Sequence, residues 1–160
     1  MPRKYSVGFE NQAWVVGDGD VDVFELDAAT DKPIAVTGWL VKAISEVGEA
    51  QEEWIRLKWV RGHTTSGSGA PTTITPRPLA ANDSAAGFVC EILNDVVASA
   101  GTGVDVWPGD SFNVRNGHEM WLPPEDWLWT SGAELLCLRI AAAPADDMQL
   151  TAAALVMEVP

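Results

Sequence analysis

The chain has 160 residues, 47% of them hydrophobic and 21% charged, and a formal net charge of −13. Those values suit one globular domain with a real core and exclude global disorder. A sequence pI near 4.3 excludes the basic surface that binding to nucleic-acid phosphates requires.

The first twelve residues, MPRKYSVGFENQ, hold two basic residues but no apolar run, so no secretory signal is expected. No apolar stretch approaches the ~18 residues of a membrane span, so no membrane partner is expected. The dominant periodicity is two. Tyr5 to Phe9 reads as a strand, and Gln12 to Val16 and Val21 to Leu26 read as an early hairpin around the turn Gly17-Asp18-Gly19-Asp20. Pro33 to Val47 reads as a long strand or a bent pair, with Gly38 as a bulge. In Trp54 to Arg61 the residues Ile55, Leu57 and Trp59 share one face.

The next stretch, Arg61 to Phe88, lacks an apolar pattern. Gly, Ser, Thr and Pro fill 15 of its 28 positions, and Arg61 and Arg77 outweigh Asp83 in an otherwise acidic chain. A connection this long inside a compact domain marks function or disorder. It reads as an interaction arm, flexible until docked, with Arg61, His63, Arg77 and Leu79 as candidate assembly contacts.

Beyond it, Phe88 to Leu93, Val96 to Ser99, Val104 to Trp107, Ser111 to Arg115 and His118 to Leu122 read as short strands. Asn116-Gly117 gives the strongest hairpin signal in the chain. Glu134 to Ala141 and Met148 to Val159 close the pattern. Only Glu49 to Glu53 and Leu79 to Ala86 have room for a helical turn. About ten short strands in residues 1–160 predict a single all-β domain, an antiparallel β-sandwich of jelly-roll type with one long irregular loop at 61–88.

The motifs that would specify a reaction or a cofactor are incomplete. Asp18-Gly19-Asp20-Val21-Asp22 opens like a calcium loop, but Val23 and Ala29 stand where the glycine and the last glutamate belong. Gly62 to Ser68 has the glycine spacing of a phosphate loop without its lysine, and Gly101-Thr102-Gly103 lacks a third glycine. His63 and His118 stand far apart with no partner ligand at metal spacing, and no Gly-x-Ser-x-Gly elbow occurs. The expectation is therefore a non-enzyme without metal or cofactor. Cys90 and Cys137 read as small buried hydrophobes of a protein folded in a reducing cytoplasm.

Eight tryptophans leave a carbohydrate-binding module open as a second class. Against it, Trp39, Trp59, Trp107 and Trp129 read as core, and Trp121 and Trp127 as packing around Pro123-Pro124.

Five segments carry a family resemblance: Arg61-Gly62-His63-Thr64-Thr65-Ser66-Gly67-Ser68-Gly69, Pro76-Arg77-Pro78-Leu79, Ala86-Gly87-Phe88, Phe112-Asn113-Val114-Arg115-Asn116-Gly117 and Ala142-Ala143-Pro144-Ala145-Asp146. With Tyr5-Ser6-Val7-Gly8-Phe9 and the acidic run Glu46 to Glu53, the chain resembles small virion structural proteins of tailed bacteriophages and prophages. Trp14, Trp54 and Trp129 depart from that group. The resemblance implies a capsid decoration (cement) protein on the outside of the major capsid lattice, with the major capsid protein and copies of itself as partners. By analogy with three-fold sites on an icosahedral shell, it implies a homotrimer, made in the host cytoplasm and ending on the capsid surface. A tail, head-fibre or adaptor component of the virion is the alternative within the same class.

Overall fold

The computed structural model describes residues 1–44, 53–69 and 72–159, with the side chain of Pro108 left out. The helical turn expected near Glu49 and most of the acidic run from Glu46 lie outside the described residues. Twelve strands follow in order: β1 (Arg3–Trp14), β2 (Val21–Asp27), β3 (Ile34–Ala43), β4 (Trp54–His63), β5 (Thr72–Ile74), β6 (Arg77–Pro78), β7 (Val89–Asn94), β8 (Val104–Asn113), β9 (His118–Trp121), β10 (Leu128–Thr130), β11 (Leu135–Ile140) and β12 (Met148–Glu158). One 3-10 turn, Pro124–Asp126, is the sole helical element among the described residues, so Leu79 to Ala86 is not helical.

The strands form two antiparallel sheets. Sheet I runs β10-β3-β12-β1-β6, with β9 also on β3, and sheet II runs β5-β7-β2-β11-β4-β8. Without the strands of the 61–94 region, the halves are β1-β12-β3-β9/β10 and β2-β11-β4-β8. Every connection between successive strands of that frame switches sheets, apart from β9 to β10 and the 61–103 link between β4 and β8. This is the jelly roll that the spacing of short strands predicts.

That topology corrects two sequence expectations. β1 and β2 lie in different sheets, so the Gly17 to Asp20 turn makes no hairpin. Likewise β8 pairs with β4 while β9 pairs with β3, so Asn116-Gly117 turns the chain from one sheet to the other. Turn chemistry dictates a tight reversal, but which neighbour each strand finds is decided by burial between the sheets. The bulge near Gly38 is present, as a register shift between Leu155 and Val156 opposite it.

The core fills the space between the sheets. Tyr5, Val7 and Phe9 of β1 alternate inward with Val36, Trp39 and Val41 of β3 and with Leu136, Leu138 and Ile140 of β11. Trp39 meets both Trp59 and Trp107 edge-to-face, at centroid distances of 5.5 and 5.8 Å. Each fully buried side chain of this size stabilises by roughly 1.5–3 kcal/mol relative to exposure. Trp14, Trp39 and Trp59 are buried, and Trp107 and Trp127 pack partly buried against the core.

Trp129 is a correction: it is exposed, because Leu128 and Thr130 take the inward positions on either side of it. Cys90 and Cys137 are buried free thiols. They sit on β7 and β11, with β2 between them. Burial pushes both thiols well above their ordinary pKa.

Candidate functional site

The two outer faces of the sandwich differ, and the difference starts in β2. Its sequence VDVFELD buries Val21, Phe24 and Leu26 between the sheets. Asp22 and Glu25 are also buried, at 0% and 3% exposure, yet they stand opposite Arg139 and Cys137 on the other side of sheet II. Such carboxylates need dedicated donors. Asp22 takes a two-pronged pair from Arg139, Nε at 2.7 Å and Nη2 at 3.0 Å, and a third bond from the Ala98 amide at 2.7 Å. Glu25 accepts from the Ser66 hydroxyl, the Gly67 amide at 2.9 Å and the Asn94 side-chain amide at 3.0 Å. Glu91, its cross-strand neighbour, shares Asn94 at 3.1 Å.

The Ser66, Gly67 and Ala98 donors come from two segments that lie over sheet II, while Arg139 and Asn94 belong to β11 and β7. Thr65 and Ser99 exchange backbone bonds of 3.0 Å, and Ser68 and Val96 do so at 2.8 and 3.0 Å. The segments 64–69 and 95–102 thus form a ribbon covering a small apolar cluster of Ala98, Leu135 and Cys137. Gly67 is required there, since a Cβ would meet the Val96 carbonyl at 2.5 Å.

The described residues of the stretch 61–88 are irregular, as expected, but they are pinned at several points. After the ribbon, β5 pairs with β7 in sheet II, β6 crosses to β1 in sheet I, and Phe88 enters the core. The free arm expected from composition is instead an insertion that seals one face. Val96 to Ser99 joins it through isolated bridges and forms no strand.

The four sequence candidates divide into two pairs. At the end of β4, Arg61 Nη1 donates to the Trp129 carbonyl at 2.8 Å, and its Nε lies 3.8 Å from Glu134. This bond ties sheet II to sheet I. His63 Nδ1 lies 2.9 Å from the Ala100 carbonyl, with the ring against Gly103. Arg77 and Leu79 belong to the β6 edge. Arg77 stands opposite Ser6, and the Leu79 amide donates to the Lys4 carbonyl at 2.8 Å while its side chain stays exposed. The structure does not bring the two pairs together, and only Arg77 and Leu79 present largely free side chains.

The outer face of sheet I has no such cover among the described residues. Register places Ser6 and Gly8 of β1, Ala153 and Leu155 of β12, and Gly38 and Leu40 of β3 side by side on it. Its charged positions are Lys4, Lys42 and Arg77 against Glu10 and Glu119, a near balance in a chain of −13. A groove of about 650 Å³ runs along the β1 side, lined by Gly8, Glu10, Leu40, Thr75, Arg77 and Ala153. At the opposite edge Trp121 lies over Gly38, where a Cβ would come within 2.3 Å of its ring. Its indole donates to Glu119 at 2.7 Å.

Sequence reading missed this contrast. The available signal was Arg139 in the otherwise apolar strand Leu135–Ile140, which demands a buried anion. Asp22, Glu25 and Cys137 bring ligand atoms within 4.8 Å of one another. Arg139 neutralises Asp22, and the ribbon donors saturate Glu25, so the cluster is complete as it stands.

No family model matches the chain, and no curated protein matches it. Among solved structures, the whole chain aligns with 42% of a chain in the structure of infectious bursal disease virus Gx strain, at 14% identity and a TM-score of 0.22. It spans less than half of that viral chain, and a likeness this slight carries no argument about function.

Proposed function

We propose that the chain is a virion structural protein of a tailed phage or prophage, and specifically a capsid decoration protein bound as a homotrimer to the outside of the major capsid lattice. The resemblance of the 61–69, 76–79 and 112–117 segments motivates this reading. The observation that carries it is the contrast between the faces: sheet II is sealed by the chain's own insertion, while the outer face of sheet I is uncovered among the described residues, of mixed polarity and close to charge-balanced. In a chain of −13, a nearly charge-balanced surface is one where two copies meet with little repulsion.

The β6 edge is the docking element. It covers only Tyr5 and Ser6 of β1, and it presents Arg77 and Leu79 beside the groove. An arginine with an exposed leucine makes a contact of mixed polarity, suited to carboxylates and an apolar socket on a capsid subunit or a sibling. Arg61 and His63 serve instead to hold the sheets and the ribbon. No nucleic acid or membrane enters this reading.

Mixing the purified protein with undecorated capsids, then pelleting, tests it. Saturable co-sedimentation is expected, reduced at least tenfold by the double variant Arg77→Glu/Leu79→Glu. Light scattering should give three times the chain mass. A protein that stays in the supernatant at every capsid concentration overturns the reading, and labelling of intact virions at the tail would favour the fibre or adaptor role.

A further inference from the structure

The β9/β10 edge of sheet I carries a second surface, independent of the decoration reading. Trp129 pairs with Ala35, and Trp121 pairs with Gly38, on the same strand. The two partners are three positions apart on β3, which places the tryptophan backbones at most ~10 Å apart along the strand at ~3.3 Å per residue. Both side chains point outward and are exposed, at 54% for Trp121 and 38% for Trp129.

Trp121 is built to be flat. Gly38 beneath it has no Cβ, so the benzo part of the indole comes close to the β3 backbone while about half of the side chain stays exposed. The bond from its indole to Glu119 locks the ring and leaves a carboxylate at its margin. Beside Trp129 a pocket of about 250 Å³ is lined by Pro33, Arg61, Thr130, Ser131 and Glu134. Arg61 and Glu134 stand 3.8 Å apart there, so donor and acceptor are offered together without net charge.

We propose that this ledge binds a neutral saccharide chain, with pyranose rings stacked on Trp121 and Trp129 and hydroxyls bonded to Glu119, Arg61 and Glu134. Several chemical facts converge. A pyranose presents an apolar C–H face that suits the negative face of an indole. Hydroxyls donate and accept at once, as the paired guanidinium and carboxylate require. Glu119, Arg61 and Glu134 together leave one net negative charge, which favours neither phosphate nor carboxylate. A nucleobase also stacks on tryptophan, but a chain of −13 repels its phosphates. The ledge and the β6 edge flank the sheet on opposite sides, with β3, β12 and β1 between them.

Affinity electrophoresis of the intact protein through gels containing hydroxyethylcellulose, galactomannan or dextran tests the proposal. Retardation is expected in at least one gel, with the apparent dissociation constant raised at least tenfold by Trp121→Ala and by Trp129→Ala. Thermal melts of both variants accompany the gels, and Trp121→Phe, which keeps a stacking ring, should retain part of the binding. Unretarded wild-type protein in all three gels overturns the proposal, as does equal retardation of wild type and a folded Trp121→Ala. A variant that loses oligomer mass or capsid binding while its retardation is unchanged assigns the ledge to a protein contact and overturns it too. The capsid sedimentation assay reads the decoration role separately, so either idea can fail alone.

Discussion

Arg139 and Asp22 meet through two parallel bonds of 2.7 and 3.0 Å, on neighbouring strands of sheet II and beneath the ribbon of 64–69 and 95–102. Arg139 Nη2 also donates to the Ala98 carbonyl at 3.0 Å, while the Ala98 amide donates to Asp22. The ion pair thus holds a backbone segment by both its polar groups, and this couples sheet II to its cover.

Removing one partner leaves a buried charge without compensation. Asp22→Asn or Arg139→Met is expected to cost about 3–5 kcal/mol of folding stability. The joint replacement should cost less than the sum of the two, because it removes both desolvated charges. Urea denaturation of the two single variants and the double variant checks this, and strictly additive losses would contradict the coupling.

Deleting residues 64–70 is expected to destabilise the fold. An arm that merely docks would tolerate the deletion. A cover that supplies the Ser66 and Gly67 donors of Glu25 would not, since an unsatisfied buried acceptor costs about 1–3 kcal/mol, more when charged. A thermal midpoint equal to that of the full chain would show that the ribbon contributes nothing. The gentler change Ser66→Ala should speed amide exchange at Ala98 and Ser99 while the core strands stay protected.

His118 gives the fold an acid-sensitive element. Its ring stacks with Phe112 and lies near Trp39, and its Nε2 is buried 3.8 Å from Asp110. Desolvation lowers its pKa below the usual 6.5, only partly opposed by the Asp110 carboxylate. The unfolded chain therefore binds this proton more readily than the folded one. The stability due to neutral His118 is complete above pH ~6.5 and is lost as the pH falls toward the depressed folded value. One proton limits the slope to about 1.4 kcal/mol per pH unit. Denaturation between pH 7.5 and 5 should show a steeper decline for the wild type than for His118→Gln, and superimposable slopes would refute it.

Much of the fold was legible because alternation survives wherever one face of a strand is buried. Ile55, Leu57 and Trp59 gave β4 directly, and the closing strands β11 and β12 were equally plain. What alternation cannot say is which sheet a strand joins, so Asn116-Gly117 looked like a hairpin when its flanks belong to opposite sheets. The candidate surface was less legible. Arg61 looked free because a sequence does not show the Trp129 carbonyl it reaches across the sandwich. The burial of Asp22 and Glu25 left no mark in the sequence, because the stretch that covers them has no apolar pattern and works through hydroxyl and amide donors. Trp121 could not be placed without its partner strand, since it is Gly38 that gives the ring its seat.

The two thiols turn the layered construction into a built-in clock. Cys137 lies in the small cluster under the ribbon, whereas Cys90 lies in the main core on β7. Both are held protonated by burial, so neither reacts with an alkylating reagent until water reaches it. The order in which the two sulfurs become alkylated therefore reports whether the cover lifts before the sandwich opens, in a protein that needs no introduced cysteine.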